Sequence, residues 1–148
     1  MGLMQRRKGK AFERKIAALI RSRWPDAVVR RASQADRAHQ SDVYLSGGPP
    51  VLSRLWLECH DARNPNPIAK LEQADRDVAA HQAFDFVRLP VVVWHRLGSR
   101  QINVTTQLWV LLELAEPDNR DRPQTHAVTM ALDDFLDLVD QHAAEMAA

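Results

Sequence analysis

Three side chains in two neighbouring segments of the sequence could together bind a metal ion and activate a water molecule. Asp42 begins "DVYL", and Glu58 and His60 lie in "RLWLECHDAR", with fifteen residues between Asp42 and Glu58. Both segments have strand-like patterns, and alternation along the second strand places Glu58 and His60 on one face. If the strands are antiparallel neighbours, Asp42 can lie beside Glu58 across the sheet.

Two carboxylates placed side by side form an oxygen-rich site that suits a hard divalent cation. Such a cation lowers the pKa of bound water and neutralises the charge that builds up on a phosphate group. His60 would orient or deprotonate the attacking water. A structural alternative remains open, in which residues 54–63 form an edge strand whose second face is simply solvated.

Glu13 is a third candidate carboxylate, in the first predicted helix. That helix has an apolar stripe formed by Phe12, Ile16, Leu19 and Ile20. Glu13 flanks the stripe, so it could reach the edge of the sheet as a third metal-side ligand. The alternative is a surface acid that pairs with the cations around it on the helix.

The elements that must position these residues alternate between helical and strand-like patterns along one domain, residues 1–148. Helical spacing occurs in "GKAFERKIAALIRSRWPD", "IAKLEQADRDVAAHQ" and "ALDDFLDLVDQHAAEMA". Strand patterns occur in "AVVRR", "SDVYL", "VLSRLWLECH", "LPVVVWHR" and "QINVTTQLWVLLEL". This order predicts an α/β fold with a central mixed β-sheet flanked by helices on both faces. Residues 97–148 would add one strand and a closing helix.

The formal net charge of +1 hides a strong asymmetry along the chain. Residues 1–37 carry eleven Lys or Arg against three acids, whereas the remainder carries nine against sixteen. A basic segment on a nearly neutral protein is typical of a surface that binds a polyanion such as nucleic acid. The alternative is an ordinary solvated basic helix.

Composition argues against several other classes of protein. The single cysteine cannot form an internal disulfide, and no Cys-x-x-Cys pair predicts structural zinc, so an intracellular, cytoplasmic protein is expected. No apolar run is long enough to span a bilayer, and no apolar stretch follows the basic start, so no membrane association is expected. "SGGPP" predicts a hairpin turn rather than a phosphate-binding loop, so no nucleotide cofactor is expected.

The archaeal-type Holliday junction resolvases resemble this chain in four segments: "RKGKAFERKIAALI", "AVVRRASQADRAHQSDVYLSGG", "WLECH" and "LPVVVWHR". That family belongs to a nuclease superfamily whose signature is Pro-Asp, a spacer, Asp or Glu, any residue, and Lys. The resemblance covers about residues 6–96, with a weaker echo in "VTMALDDFLDLV". It implies a restriction-endonuclease-like fold, a Mg²⁺ requirement, a homodimer with two active sites, and paired cuts in four-way DNA junctions.

By position, the resemblance also implies roles for individual residues. Glu13 matches the family's helix acid, Asp42 the signature aspartate and Glu58 the signature acid. Ser33 falls near the serine that such enzymes bring to the cleavage site. The three acids would be the metal ligands, and the catalytic set would consist of these acids with His60 and Ser33.

Two positions depart from the family pattern. Ser41 stands where the family often has proline, which affects turn geometry. His60 stands where lysine is expected, and an imidazole with an ordinary pKa of about 6.5 is mostly neutral at pH 7 to 8. Either the imidazole replaces the amine as the group that orients water, or the enzyme is slow. As a metal ligand, His60 would favour Mn²⁺ over Mg²⁺.

These observations together predict a metal-dependent, structure-selective DNA endonuclease that resolves four-way junctions in recombination and repair. A related nickase or repair endonuclease is the nearest alternative, and a non-catalytic DNA-binding relic of the fold is another. Most DNA contacts would be to phosphate, which gives affinity without base specificity. The cations expected to bind phosphate are Arg6, Arg7, Lys8, Lys10, Arg30, Arg31 and Arg37.

Overall fold

A six-stranded mixed sheet and four helices make up the described part of the protein, which in this computed structural model comprises residues 2–32, 41–81, 87–115 and 126–148. The strands are β1 (Ala27–Arg31), β2 (Val43–Gly47), β3 (Leu55–Ala62), β4 (Leu89–Arg96), β5 (Ile102–Gln107) and β6 (Ala127–Ala131). The helices are α1 (Leu3–Arg23), α2 (Pro67–Ala80), α3 (Leu108–Ala115) and α4 (Leu132–Ala147), and a 3₁₀ turn covers Pro50–Arg54. The α/β class with a central mixed sheet is therefore confirmed.

The strands lie in chain order across the sheet, from β1 at one edge to β6 at the other. Neighbouring strands are antiparallel except β3 and β4, which run parallel because α2 carries the chain back between them. β3 and β4 pair along their whole length, so both end at one side of the sheet, which we call the C-terminal edge. β2 and β3 pair only through Val43 and Leu57, so these two strands diverge.

Helices cover both faces of the sheet, and the alternation of β3 shows which helix covers which face. Leu55 and Leu57 belong to the main apolar core, to which α1 and α4 also contribute. Trp56 points the opposite way and packs with Ala74 and Val78 of α2. The first surface is called the α1 face below, and the second the α2 face.

The predicted start of α2 is confirmed, and α1 ends before Pro25 as predicted, but α1 begins at Leu3, six residues before its predicted start at Gly9. α1 buries Phe12, Ile16 and Ile20 against the sheet, whereas Leu19, predicted to join this stripe, is 40% exposed. α2 begins with Pro67 in its first turn, where the missing N–H costs no helical hydrogen bond. Asn66 caps that turn, because its side chain accepts a hydrogen bond from the backbone N–H of Ala69 at 3.1 Å.

The predicted long strand in residues 101–114 is wrong beyond Gln107, where α3 begins. The run "LWVLLEL" is apolar enough to suit either structure, and in the fold Val110, Glu113 and Leu114 are buried at helical spacing. Arg54 pairs with Glu113 at 2.9 Å, which compensates the charge of this buried carboxylate. Residues 51–54, predicted as the start of a strand, form most of the 3₁₀ turn instead.

The C-terminal part of the chain contains one strand more than predicted. β6 pairs with β5 at the edge of the sheet. Its side chains are partly or fully exposed, so its sequence shows little alternation between apolar and polar residues. Residues 97–148 therefore contribute two strands and two helices in their described part, rather than one strand and one helix. Among the described helices, none combines the length and apolar character needed to cross a bilayer.

Candidate functional site

Asp42 and Glu58 meet where β2 and β3 diverge. The antiparallel register of these strands, extended by one residue, places Asp42 opposite Glu58. The backbone carbonyl of Asp42 accepts a hydrogen bond from Ala32 N at 2.9 Å, on the side of β1. Its side-chain Oδ2 accepts one from the backbone N–H of Cys59 in β3, also at 2.9 Å. The Asp42 side chain thus takes a place that a backbone carbonyl would have in a regular ladder, and the carboxylate is fixed between strands.

Burial and Asp42 together control the ionisation of Glu58. Burial, followed by the charge of Asp42 and a hydrogen bond with it, raises the pKa of Glu58 to about 8. Trp56 opposes this shift, because its Nε1 donates a hydrogen bond to Glu58 Oε1 at 2.8 Å. This shift favours the protonated form of Glu58, which hydrogen-bonds with Asp42.

This pair of carboxyl groups marks a place where a cation fits. Two adjacent carboxyl groups that cannot both ionise can do so when a divalent cation replaces the proton and removes the repulsion. The donors are all oxygen, which suits Mg²⁺ and also Mn²⁺. Within the described ranges, no group of three or more His, Cys, Asp or Glu side chains is arranged to hold a metal ion. A cation held by the pair would therefore keep other coordination positions for water and phosphate oxygens.

Glu13 lies close to this pair but is engaged with another partner. It is only 7% exposed, and its Oε2 accepts a hydrogen bond from Nε of Arg31 in β1. Its charge reaches the Cys59 thiol, whose pKa is raised by burial first and then by Asp42 and Glu13. The structure therefore places Glu13 on the α1 face, in an ion pair, whereas Glu58 points to the α2 face.

His60 follows Glu58 on the same face of β3 and is linked to the start of α2. Its Nε2 accepts a hydrogen bond from the backbone N–H of Asn66 at 3.3 Å. Burial, and then the positive charge of Lys70, lowers the pKa of His60, against an opposing effect of Asp61. The ring is therefore neutral at pH 7 and carries its proton on Nδ1, since Nε2 is the acceptor. Nδ1 can donate to water or phosphate, whereas Nε2 would have to leave Asn66 to act as a base.

The direction of α1 brings its basic half to the C-terminal edge. Ile20, late in α1, and Trp24, which directly follows α1, line a small cavity with Leu52, which precedes β3. Phe12, earlier in α1, contacts His95 near the end of β4, with ring centroids 6.0 Å apart. α1 therefore runs antiparallel to β3 and β4, and its first turns extend past the C-terminal edge. The cations on these turns are Arg6, Arg7 and Lys8, which are exposed, and Lys10, which is partly exposed.

The remaining residues selected from the sequence have mixed placements. Arg30 is exposed on β1, and its guanidinium carbon lies 4.6 Å from the centre of the Tyr44 ring. Arg31, predicted to bind phosphate, is instead partly buried and paired with Glu13. Ser33 and Arg37 lie outside the described residues.

Several groups near the site have no distinctive sequence pattern and were not selected. The most direct is Trp56, whose indole holds Glu58 in place. Others follow from the parallel pairing of β3 with β4, because residues after both strands then lie at one edge. A crossover helix between the two strands is the sequence signal that would have found them. They are Arg63, Arg96 and Arg100, which are exposed. Lys70 is partly buried on α2, where helical spacing predicts that it shares a face near the site with Gln73.

Comparisons with protein-family models and with curated proteins find no match for this chain. We therefore infer its function from the Asp42–Glu58 pair and from the charge around it. The pair offers two oxygen ligands in a partly buried position, His60 offers a hydrogen-bond donor, and exposed cations lie along the neighbouring edge. This arrangement suits hydrolysis of a negatively charged polymer more than it suits binding of a small neutral ligand.

Proposed function

We propose that this protein is a metal-dependent, structure-selective DNA endonuclease that resolves four-way junctions by paired phosphodiester cuts. The observation that carries this proposal is the Asp42–Glu58 pair, which β2 and β3 hold side by side and in which burial and mutual repulsion raise the pKa of Glu58. Paired acids of this kind, beside a basic edge, suit a site where a cation and a phosphate meet.

Asp42 and Glu58 would hold Mg²⁺, with Mn²⁺ as a substitute. When bound, the cation would lower the pKa of a water molecule and offset charge on the phosphate. The protein itself keeps the two carboxylates in place, through Cys59 N–H on Asp42 and Trp56 Nε1 on Glu58. Glu13 would assist cation binding from the α1 face through its negative charge. It would not be a ligand of the cation.

His60 would orient the attacking water. The water oxygen would form a bond to phosphorus while the bond from phosphorus to the leaving DNA oxygen, on the opposite side, breaks. The water proton would pass to solvent, and the leaving oxygen would take a proton from solvent. Nδ1–H of His60 would donate a hydrogen bond to that water or to a phosphate oxygen. We assign the ring an orienting role rather than the role of a base, because Nε2 is engaged with Asn66.

The exposed cations would bind the phosphates of the DNA arms. Those on α1 extend past the C-terminal edge, and others surround the ends of β3 and β4. Contacts of this kind hold DNA without reading its bases, so selection would depend on the shape of the substrate. The proposed set is Arg6, Arg7, Lys8, Lys10, Arg30, Arg63, Arg96 and Arg100.

Three features support a restriction-endonuclease-like class for the fold. A helix that carries an inward-facing acid, Glu13, precedes the sheet. Two antiparallel strands then present Asp42 and Glu58 as neighbours. The parallel unit of β3, α2 and β4 follows directly after these acids.

A homodimer would supply the two cuts that a junction requires. The described residues hold one pair of this kind, so a second site must come from a second chain. A twofold dimer presents two identical sites with one relative orientation. The basic edges of two chains would then form one broad surface that matches a branched duplex.

Two other functions are compatible with the same site. A related nickase or repair endonuclease would use the same acids on a different DNA structure, and would need only one site. A non-catalytic DNA-binding relic is favoured by His60, which stands at the position where the resembling family has lysine.

Cleavage assays with matched substrates would separate these functions. We expect the protein to cut a four-way junction in Mg²⁺ and to leave a linear duplex of the same sequence intact. Excess linear duplex should barely reduce junction binding, because only a junction would fill both halves of a dimer. Equal cleavage of both substrates would favour the nickase or repair enzyme, and binding without cleavage would favour the relic.

A further inference from the structure

α2 lies along the part of β3 that carries the site. At one end, the backbone N–H of Asn66 donates to Nε2 of His60 at 3.3 Å. Two turns later, Ala74 packs in one apolar cluster with Trp56. The helix advances about 12 Å from Asn66 to Ala74. The strand covers about 13 Å from His60 to Trp56. Helix and strand therefore run alongside one another, in opposite directions, over this distance.

Lys70 is the midpoint of this helical segment, and Glu58 is the midpoint of the strand segment. Lys70 follows Asn66 by one turn, and its N–H donates to the Asn66 carbonyl at 3.3 Å. Ala74 follows one turn later, so all three residues share one line along the helix. Lys70 is partly buried, as expected for a lysine whose aliphatic stem lies on apolar surface. This geometry places Lys70 opposite Glu58.

The charge of Lys70 acts on the groups that it faces. It lowers the pKa of Glu58, against the larger opposing effect of burial, and it also lowers the pKa of His60. These effects agree with the contacts at the two ends of the segment. The contacts at the two ends of the segment place Lys70 on the same side of β3 as Glu58 and the neutral imidazole.

We propose that Lys70 is the cation of the Asp42–Glu58 site, and that its ammonium group contacts the phosphate under attack. This inference rests on the proposed nuclease function and adds a catalytic residue to it. His60, in the strand, offers no permanent charge, so the positive charge would come from the neighbouring helix. A fixed cation stabilises the negative charge that develops on the phosphate oxygens during in-line attack.

The first test compares Lys70→Met and Lys70→Arg with Arg76→Gln, an exposed cation of the same helix. We expect Lys70→Met to lower kcat for junction cleavage by about 100-fold, with a much smaller change in KM. Lys70→Arg should keep most of the activity, and Arg76→Gln should leave kcat and KM unchanged. Melting temperatures close to wild type would show that the variants fold.

The second test moves the charge back to the strand. We expect the double variant with Lys70→Met and His60→Lys to regain most of the kcat lost in Lys70→Met. A lysine at residue 60 would approach the same carboxylates from the strand side. If Lys70 had only a structural role on α2, a lysine at residue 60 would not restore kcat.

The third measurement requires no activity. Calorimetric titration of Mg²⁺ into DNA-free protein should show tighter binding to Lys70→Met than to wild type, because a like charge beside the ligands is removed. Arg76→Gln should bind Mg²⁺ as wild type does.

The outcomes separate this inference from the proposed function. A wild-type protein that cuts junctions, with Lys70→Met cutting equally well, would overturn the role of Lys70 and leave the nuclease function standing. Unchanged Mg²⁺ affinity in Lys70→Met would likewise contradict the placement of Lys70 beside the acids. A wild-type protein that cuts no DNA would overturn both proposals.

Discussion

In the proposed site, Glu58 would couple folding, metal binding and pH. Its pKa rises from 4.5 to about 8 in the fold, because of burial first and Asp42 second. A carboxyl whose pKa is raised by folding stabilises the protein fully below the lower value, and this stability is lost as pH rises through the higher one. A bound cation would reverse the loss, because it replaces the proton between the carboxylates.

We therefore expect metal-free protein to lose a few kcal/mol of unfolding free energy as pH rises from 4.5 to about 8. Glu58→Gln should lack this part of the pH dependence, since glutamine does not titrate. Urea unfolding at several pH values would measure it. Mg²⁺ should restore stability at pH 8 in wild type and not in Glu58→Gln. Parallel stability curves for the two proteins would contradict the assignment.

His60 provides a second pH effect. We expect activity to rise with pH because of His60, whereas the stability contributed by Glu58 falls with pH. Its pKa is lowered by burial first and Lys70 second, so protonation occurs below its ordinary value of 6.5. Protonation at Nε2 would break the hydrogen bond from Asn66 N–H. We expect the cleavage rate to rise with pH through this lowered pKa, and His60→Lys to lose that step while retaining activity. Full activity in His60→Ala would exclude a role for the ring.

At the scale of secondary structure, the start of α2 positions both His60 and Lys70. The Asn66 side chain caps the helix, and removal of such a cap costs about 1 kcal/mol of stability. We expect Asn66→Ala to lower stability by about this amount and to reduce kcat as well, because the first turn loosens. Asn66→Asp keeps an acceptor and is the matched control. Thermal unfolding and junction cleavage would measure the two effects, and a loss of stability with unchanged kcat would contradict the positioning role.

Sequence patterns correctly predict a helix or strand whose buried and exposed faces differ in polarity. They fail for an element whose two faces have similar polarity. β1, β4 and α2 have clear strand or helix patterns, and their predicted positions are confirmed. The apolar run of α3 suits either structure, so only packing against α4 decides it. β6 is a short, largely exposed edge strand, and it depends on its pairing with β5 more than on its own composition.

The same limit applies to the candidate site. The contact of Asp42 with Glu58 follows from two neighbouring strands and a short connection, so the sequence alone could predict it. The ion pair of Glu13 with Arg31 depends on how α1 packs on the sheet. The place of Lys70 opposite Glu58 depends on the alignment of α2 with β3, which no residue pattern specifies.

At the scale of the whole molecule, the basic surface should make DNA binding strongly dependent on salt. Contacts by the eight proposed cations predict a slope of about −7 in a plot of log affinity against log salt concentration. We expect Arg96→Gln to reduce that slope by about one unit, and Arg76→Gln to leave it unchanged. Fluorescence anisotropy with a labelled junction would measure both. A slope near zero would exclude the proposed phosphate contacts.

Assembly offers an independent check at this scale. Paired cuts require two sites of fixed orientation, so we expect a dimer at micromolar concentration by light scattering. Trp94 and Trp109 are each partly buried, so each could belong either to the core or to the dimer surface. A monomer under these conditions would favour the nickase or repair alternative.

Junction cleavage by wild type and Asp42→Asn, with and without Mg²⁺, tests the central proposal most directly. The asparagine in this variant would keep the size of the side chain and lose the charge that holds a cation, so binding of the junction should persist or tighten as repulsion from phosphate falls. We predict symmetric paired cuts by wild type in Mg²⁺, no cuts without it, and no cuts by Asp42→Asn despite junction binding. Cleavage by Asp42→Asn at the wild-type rate, or a wild-type protein that never cuts a junction in Mg²⁺, would contradict the account.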